Sequence, residues 1–545
     1  MSRPNFLVIV ADDLGFSDVG CFGSEIKTPN IDRIAASGVR FTDFHAAPAC
    51  SPTRSMLMSG TDHHIAGVGS MAESIREFQK GQAGYEGYLN ERVAPLPELL
   101  RDAGYKTYMS GKWHLGLTAG RWPKDRGFDR SFSLLPARLI YWDKRPKLLA
   151  ETNVFYVEDS KKIEPHELGL DFYSTDAFGD KLISYLSSRT PEEISSPFFG
   201  YLAYSAPHWP LQAPDKDIAA YKGRYDSGPE VLRQERLASL KKAGLIPAHA
   251  IPHDVVAPNK DRLMSRHWDA LSPSEKAFSS KTMEVYAAMV SHMDASIGKV
   301  LDHLRSTGEL DNTFVLFMSD NGAEGLLLES IPIINENIFE HIEKYYNNSI
   351  ENVGRKDSYV WYGPHWASAG TAPGRLYKGF TAEGGIRVPL IVDWKGFGQG
   401  RREGGVEHGF CTVMDVLPTV LELAGVQHPG TSYKGKEVAA VRGKSWVKYL
   451  TGGQESIHEE ETVTGWELFG RLAVRKAKWK ATFIPQPYGP ETWQLFDLEA
   501  DPGETKDLSG ERRDKLKELL EAWAGYMKEC GVVGNAPEYG VLVVD

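Results

Sequence analysis

"VYAAMVSHMDASIGKVLDHLRSTGELDNTFVLFMSDN", residues 285–321, carries the pattern that decides the fold. Val285, Met289, Met293, Ile297, Val300, Leu301 and Leu304 recur at the spacing of one helix face, and Gly308 closes that helix. Thr313 to Ser319 follows as a largely apolar run, the mark of a strand covered on both faces. Asp320 and Asn321 come directly after it. The same order recurs upstream. A helix around Phe178, Leu182, Ile183 and Leu186 precedes a strand from Phe198 to Tyr204, and a helix from Leu96 to Ala103 precedes a strand at Tyr105 to Met109. Asn5 to Val10 reads as another buried strand, after which Thr28-Pro29-Asn30 opens a helix that Gly38 ends. This repetition predicts an α/β fold, a mostly parallel sheet sandwiched by helices.

Beyond about residue 456 the pattern shifts to closely spaced short strands at Thr462 to Glu467, Arg471 to Arg475, Lys478 to Phe483 and Trp493 to Leu498. A charged helix from about Glu511 to Tyr526 follows. Two domains are expected: residues 1–455 as the α/β body, and 456–545 as a small C-terminal α+β domain carrying an antiparallel sheet. Gly398 to Gly405 reads as a surface loop.

The chain has 545 residues, 41% hydrophobic and 25% charged, the make-up of a soluble protein with a sizeable core. A net charge of -11 argues against nucleic acid or an anionic membrane as partner and toward a small molecule. Cys21, Cys50, Cys411 and Cys530 have neither zinc-site nor disulfide-framework spacing, so a reducing compartment, the cytoplasm, is expected. No apolar run nears the roughly 18 residues needed to cross a bilayer. Without long heptads, a monomer is expected.

In an open parallel sheet, ligands bind beyond the carboxyl ends of the strands. Asp12 and Asp13 follow the first strand, Asp320 and Asn321 the Thr313 strand, His208 the Phe198 strand, and Lys112 with His114 the Tyr105 strand. Four strands thus bring polar groups to one edge. Three carboxylates and an amide carbonyl are hard oxygen donors, suited to Ca²⁺ or Mg²⁺ and unsuited to zinc, with oxygen-rich ligation leaning toward Ca²⁺. Adjacent Asp12 and Asp13 need a cation or a proton to offset their repulsion.

"ACSPTRSMLMSG", residues 49–60, adds a candidate nucleophile. Ser51 suits an N-cap and Pro52 the first helical position, which sets Cys50 at the positive end of a helix with Arg54 one turn in. Such surroundings favour a reactive thiolate. A cysteine-dependent phosphatase is one reading, but its Cys-x5-Arg loop needs arginine at position 56, where Met56 stands. A plain buried cysteine is another.

Cys50-Ser51-Pro52-Thr53-Arg54 resembles the C-x-P-x-R signature of type I sulfatases, members of the alkaline phosphatase-like superfamily. Gly104-Tyr105-Lys106-Thr107, followed by Gly111-Lys112-Trp113-His114-Leu115-Gly116, resembles their second signature. Asp501-Pro502-Gly503-Glu504 extends the likeness into the C-terminal domain, and the whole is most similar to bacterial cytosolic arylsulfatases. The resemblance implies that a formylglycine-generating enzyme converts Cys50 to formylglycine. Its hydrate would attack the sulfur of a sulfate ester, give a covalent enzyme sulfate, and collapse to expel inorganic sulfate. The resemblance also implies Asp12, Asp13, Asp320 and Asn321, approached by residue 50, as Ca²⁺ ligands, with Mg²⁺ the other candidate. Arg54 would support the diol and metal, Lys112 and Lys378 would hold sulfate oxygens, His114 would take a proton during collapse, and His208 would protonate the departing alcohol or phenol. The function implied is that of an arylsulfatase. A phosphomonoester, phosphodiester or phosphonate ester hydrolase is the nearer alternative, and an inactive binding protein the remoter one. Ser358 to Trp366, and Tyr141-Trp142, are aromatic enough to wall an aryl group or simply to pack.

Overall fold

The computed structural model describes residues 3–136, 155–169, 171–258, 262–326, 338–397 and 404–534. Its ten-stranded sheet runs, edge to edge, Gly405–Glu407, Val39–Phe41, Leu390–Asp393, Thr313–Ser319, Asn5–Ala11, Phe198–Ala203, Lys106–Lys112, Arg130–Leu134, Tyr156–Glu158 and Lys161–Ile163. The five strands from Thr313–Ser319 to Arg130–Leu134 are mutually parallel, and antiparallel pairing begins only outside this block. All five carboxyl ends therefore share one edge. Phe6, Val8 and Val10 enter one core with Leu57, Leu99 and Leu417, while Leu7 and Ile9 enter the opposite core with Met289, Ile297 and Leu304. Burial of both faces is why Phe6 to Val10 has no polar member. Each such side chain contributes roughly 1.5–3 kcal/mol by leaving water.

The long helix is Pro273–Ser306, which opens well before the apolar stripe. Ser272 Oγ accepts from Glu275 N at 3.4 Å, and Glu275 Oε2 accepts from Ser272 N at 2.8 Å. This reciprocal cap, with Pro273 at a first position that has no intrahelical acceptor, fixes the start.

One expectation fails: Ser51 does not cap. The helix is Cys50–Ser59, preceded by Ala49 in extended backbone, so Cys50 already lies in the first turn. Thr53 fastens the entry instead, its Oγ1 accepting from Ala47 N at 2.9 Å. Pro52 is tolerated because first-turn N–H groups lack helical acceptors anyway. Cys50 remains at the positive end of the helix.

The four-stranded antiparallel sheet comprises Val463–Leu468, Arg471–Lys476, Trp479–Phe483 and Trp493–Asp497. Helix Arg513–Cys530 packs Leu519, Trp523 and Tyr526 onto Leu472, Val474 and Leu495. Buried charges join this sheet to the helices and loops of the α/β body. Lys480 Nζ lies 2.7 Å from Glu383 Oε1 and 2.9 Å from Glu504 Oε1, and Glu504 Oε2 accepts the N–H of Glu383 at 2.9 Å. His64 bridges Asp62 Oδ1 at 2.8 Å and Glu467 Oε2 at 3.0 Å, while Tyr526 donates to Asp62 Oδ2 at 2.8 Å. Tyr141, Trp142 and most of the Gly398 loop lie outside the described residues. Among the described residues no helix is long and apolar enough to cross a membrane. Cys21, Cys50, Cys411 and Cys530 are free thiols.

Candidate active site

The ten residues singled out in the sequence form one connected cluster at the shared strand edge. Lys112, the last residue of its strand, places Nζ 2.7 Å from Asp12 Oδ2 and 3.4 Å from Cys50 Sγ. The same sulfur lies 3.4 Å from His114 Nδ1. Arg54 donates through Nε and Nη2 to Asp320 Oδ2 at 2.9 and 2.7 Å, and through Nη1 to Lys112 O at 2.9 Å. Asn321 Nδ2 donates to Asp13 Oδ1 at 2.8 Å and Lys378 Nζ to Asp13 Oδ2 at 2.8 Å, with His208 Nε2 3.5 Å from that second oxygen.

Local backbone geometry aims these groups. Asp13 has φ 68° and His114 φ 55°, left-handed values that non-glycine residues hold only when their surroundings enforce them. Gly111 answers a different demand. A Cβ there would stand 1.8 Å from Ala203 O, so only glycine lets the strand of Lys112 lie against its neighbour.

Burial and the Asp12 charge lift Asp320 to about 7 even with Arg54 beside it. Burial acts the same way on Asp12, but Lys112 overrides it and holds that carboxyl below its usual range. Burial and then Lys378 push His208 well below 6.5. His114, against the pull of burial, rises to about 9 beside Glu73 and Cys50.

Two oxygens are left over: Asp12 Oδ1 and Asn321 Oδ1 are buried without a hydrogen-bond partner. Asp12, Cys50 and Asp320 offer atoms within 4.8 Å of one another. Orphaned hard oxygens beside a carboxyl that lacks sufficient counter-charge fit a hard divalent cation.

Two carboxylates escaped the sequence reading. Glu324 Oε2 lies 3.1 Å from Lys378 Nζ, and Glu73 Oε1 lies 3.2 Å from His114 Nε2. Glu324 follows the same strand end as Asp320 and was open to discovery there, whereas Glu73 sits on a short turn without periodic signal. The aromatic stretch resolves toward packing. Tyr359, Tyr362 and Trp366 are buried, Tyr362 stacks on Tyr286, and Trp366 donates to Ser279 Oγ at 2.9 Å.

The sulfatase family model matches residues 4–426. The chain belongs to the sulfatase family. This sulfatase is 50% identical over 544 residues to an uncharacterized sulfatase of Schizosaccharomyces pombe, covering 98% of this chain and 95% of that one. It is 38% identical over 449 residues to an arylsulfatase of Klebsiella aerogenes, covering 81% and 91%. Among solved structures, Ps i-CgsB in complex with k-i-k-neocarrahexaose has a TM-score of 0.65 at 24% identity, covering 96% and 93%. The PsFucS1 sulfatase from Pseudoalteromonas sp. has a TM-score of 0.61 at 19% identity, covering 98% and 92%. This sulfatase is a sulfuric ester hydrolase of alkaline phosphatase-like fold, as the resemblance implied.

Proposed function

We propose that this sulfatase is an arylsulfatase acting on small sulfate esters through a formylglycine made from Cys50 and a bound Ca²⁺ or Mg²⁺. The observation that carries the reading is the Cys50 sulfur, set 3.4 Å from both Lys112 Nζ and His114 Nδ1 beside the orphaned oxygens. The 38% identity to an arylsulfatase favours sulfate over phosphate esters. The four free thiols favour a cytoplasmic protein.

Held by Asp12, Asp13, Asp320 and Asn321, the cation would supply positive charge against sulfate oxygens and nucleophile. The modified residue 50 would supply a hydrated aldehyde, one hydroxyl forming the new S–O bond as the bond to the alcohol breaks, the other driving the collapse that frees sulfate. Lys112 and Lys378 hold sulfate oxygens from two sides. Arg54, engaged by Asp320 and the carbonyl of Lys112, ties the start of the helix to the strand ends. His114 takes the proton of collapse. Part of what raises it is the Cys50 sulfur itself, which conversion removes. His208 is neutral beside Lys378, and a sulfate group between them offsets the lysine's push, so the imidazole can carry a proton to the departing oxygen. Such transfer contributes about 10² to 10⁴ in rate, some 3–5 kcal/mol of the roughly 8–23 kcal/mol that enzymes supply. Preorganised charge must supply the remainder.

The intact mass of the peptide spanning Cys50, taken from active enzyme, should show loss of sulfur. The turnover of 4-nitrophenyl sulfate should exceed that of 4-nitrophenyl phosphate. Full activity with an unmodified thiol refutes the mechanism, and a better phosphate ester refutes the substrate assignment.

A further inference from the structure

The C-terminal sheet sends one hairpin against the nucleophile. Strands Val463–Leu468 and Arg471–Lys476 are joined by Phe469 and Gly470 alone, with Leu468 paired to Arg471. Both joining residues have positive φ, 58° and 77°. Turns of that kind are filled without strain by Asn-Gly, and a bulky residue at the first position is an outlier. Deep burial does not explain it, because the phenylalanine is only half-buried. Its neighbours offer a reason. Leu468 is buried with Ala49, Cys50 and Met71, and Phe469 packs on that cluster as its partly exposed member.

Arg471 continues the same wall. Its Nη1 donates to Gly379 O, next to Lys378, and its guanidinium lies 3.7 Å from the centroid of the Phe380 ring. Glu324, a carboxyl that acts on it, is taken up by Lys378, and burial brings the guanidinium down to about 10. Among the described residues it has no ion-pair partner, and the Nη1 bond to Gly379 O is its one hydrogen bond, so the other N–H groups of its planar fork keep the geometry to meet a carboxylate or sulfate.

We propose that this hairpin recognises the leaving group: Phe469 stacks on its aryl ring and Arg471 binds a second anionic group on it. The preferred substrates are then aryl sulfates that also carry a carboxylate or another sulfate. The inference rests on the sulfatase reading of the site and specifies its substrate class.

The test uses the full-length matured enzyme as wild type, Arg471→Met, Arg471→Lys and Phe469→Asn. The first three are assayed on an aryl sulfate bearing a ring carboxylate and on its methyl ester. Comparing the ratio of kcat/KM across enzymes cancels the intrinsic difference between the leaving groups. Arg471→Met should lower that ratio about ten- to hundredfold, the loss of one charged hydrogen bond, and Arg471→Lys should keep most of it. Calorimetry with 4-hydroxybenzoate reads the same contact without turnover and should show at least about tenfold weaker binding to Arg471→Met. Phe469→Asn should raise the thermal midpoint, because asparagine accepts positive φ, yet lower kcat/KM on aryl sulfates more than on an alkyl sulfate. An unchanged ratio in Arg471→Met overturns the proposal, as does undiminished aryl preference in Phe469→Asn. Failure of wild type to turn over 4-nitrophenyl sulfate would instead overturn the underlying sulfatase mechanism, and the calorimetric comparison would still decide whether Arg471 binds the anion.

Discussion

Raising the pH from about 6 to about 10 should loosen the joint between the C-terminal sheet and the α/β body, because His64 must release a proton that its surroundings hold. Burial alone would lower the imidazole's pKa. Asp62 at 2.8 Å and Glu467 at 3.0 Å outweigh that effect and raise it from 6.5 to about 9. A raised folded value means that the stabilisation is complete below the unfolded value and is lost as pH climbs through the folded one. At about 1.4 kcal/mol per pKa unit, the shift is worth roughly 3 kcal/mol. His63 does not obscure the effect. Burial and the His64 charge hold it down to about 4, so it stays neutral throughout. Urea unfolding of wild type and His64→Gln across this pH range supplies the assay, since subtracting the variant removes the other titrating groups. The wild-type advantage should shrink by roughly 3 kcal/mol, with a slope near 1.4 kcal/mol per pH unit between the two pKa values. A difference that stays flat, or grows with pH, refutes the reasoning.

Lys480→Met would leave Glu383 and Glu504 buried without the lysine between them and should cost about 3–5 kcal/mol in urea unfolding. Removing divalent cations by chelation should lower the thermal midpoint, and restoring Ca²⁺ at about a hundred times its Kd should return about 2.7 kcal/mol. Asp320→Asn should show little of that response. His208→Gln should slow alkyl sulfates by about 10² to 10⁴ while sparing esters of acidic phenols, which need no proton. Equal losses on both ester types would count against the donor role.

The strands that carry the site were legible because Asn5–Ala11 and Thr313–Ser319 are buried on both faces, so the polar residues after them stand out. Outer strands such as Tyr156–Glu158 and Leu390–Asp393 are only three and four residues long, too short for a period to show, and they went unread. Lys378 follows no strand end, and only the family resemblance marked it. The contacts His114 with Glu73 and Lys480 with Glu383 join residues 41 and 97 positions apart, a distance at which local spacing carries no information. Ser51 was misplaced as a cap because a polar residue before proline looks the same from sequence whether it caps the helix or lies inside a first turn that starts two residues earlier than expected.

Cys50 is only 2% exposed; it shares a buried cluster with Leu468, and Phe469 packs on that cluster. Those two residues leave the ribosome more than 400 positions after the cysteine does. On the proposed mechanism, an enzyme that altered the thiol would therefore have to find it while the chain is still open, before the final sheet arrives. Maturation and folding would then compete for the same interval, and a chain that closed faster would be converted less completely.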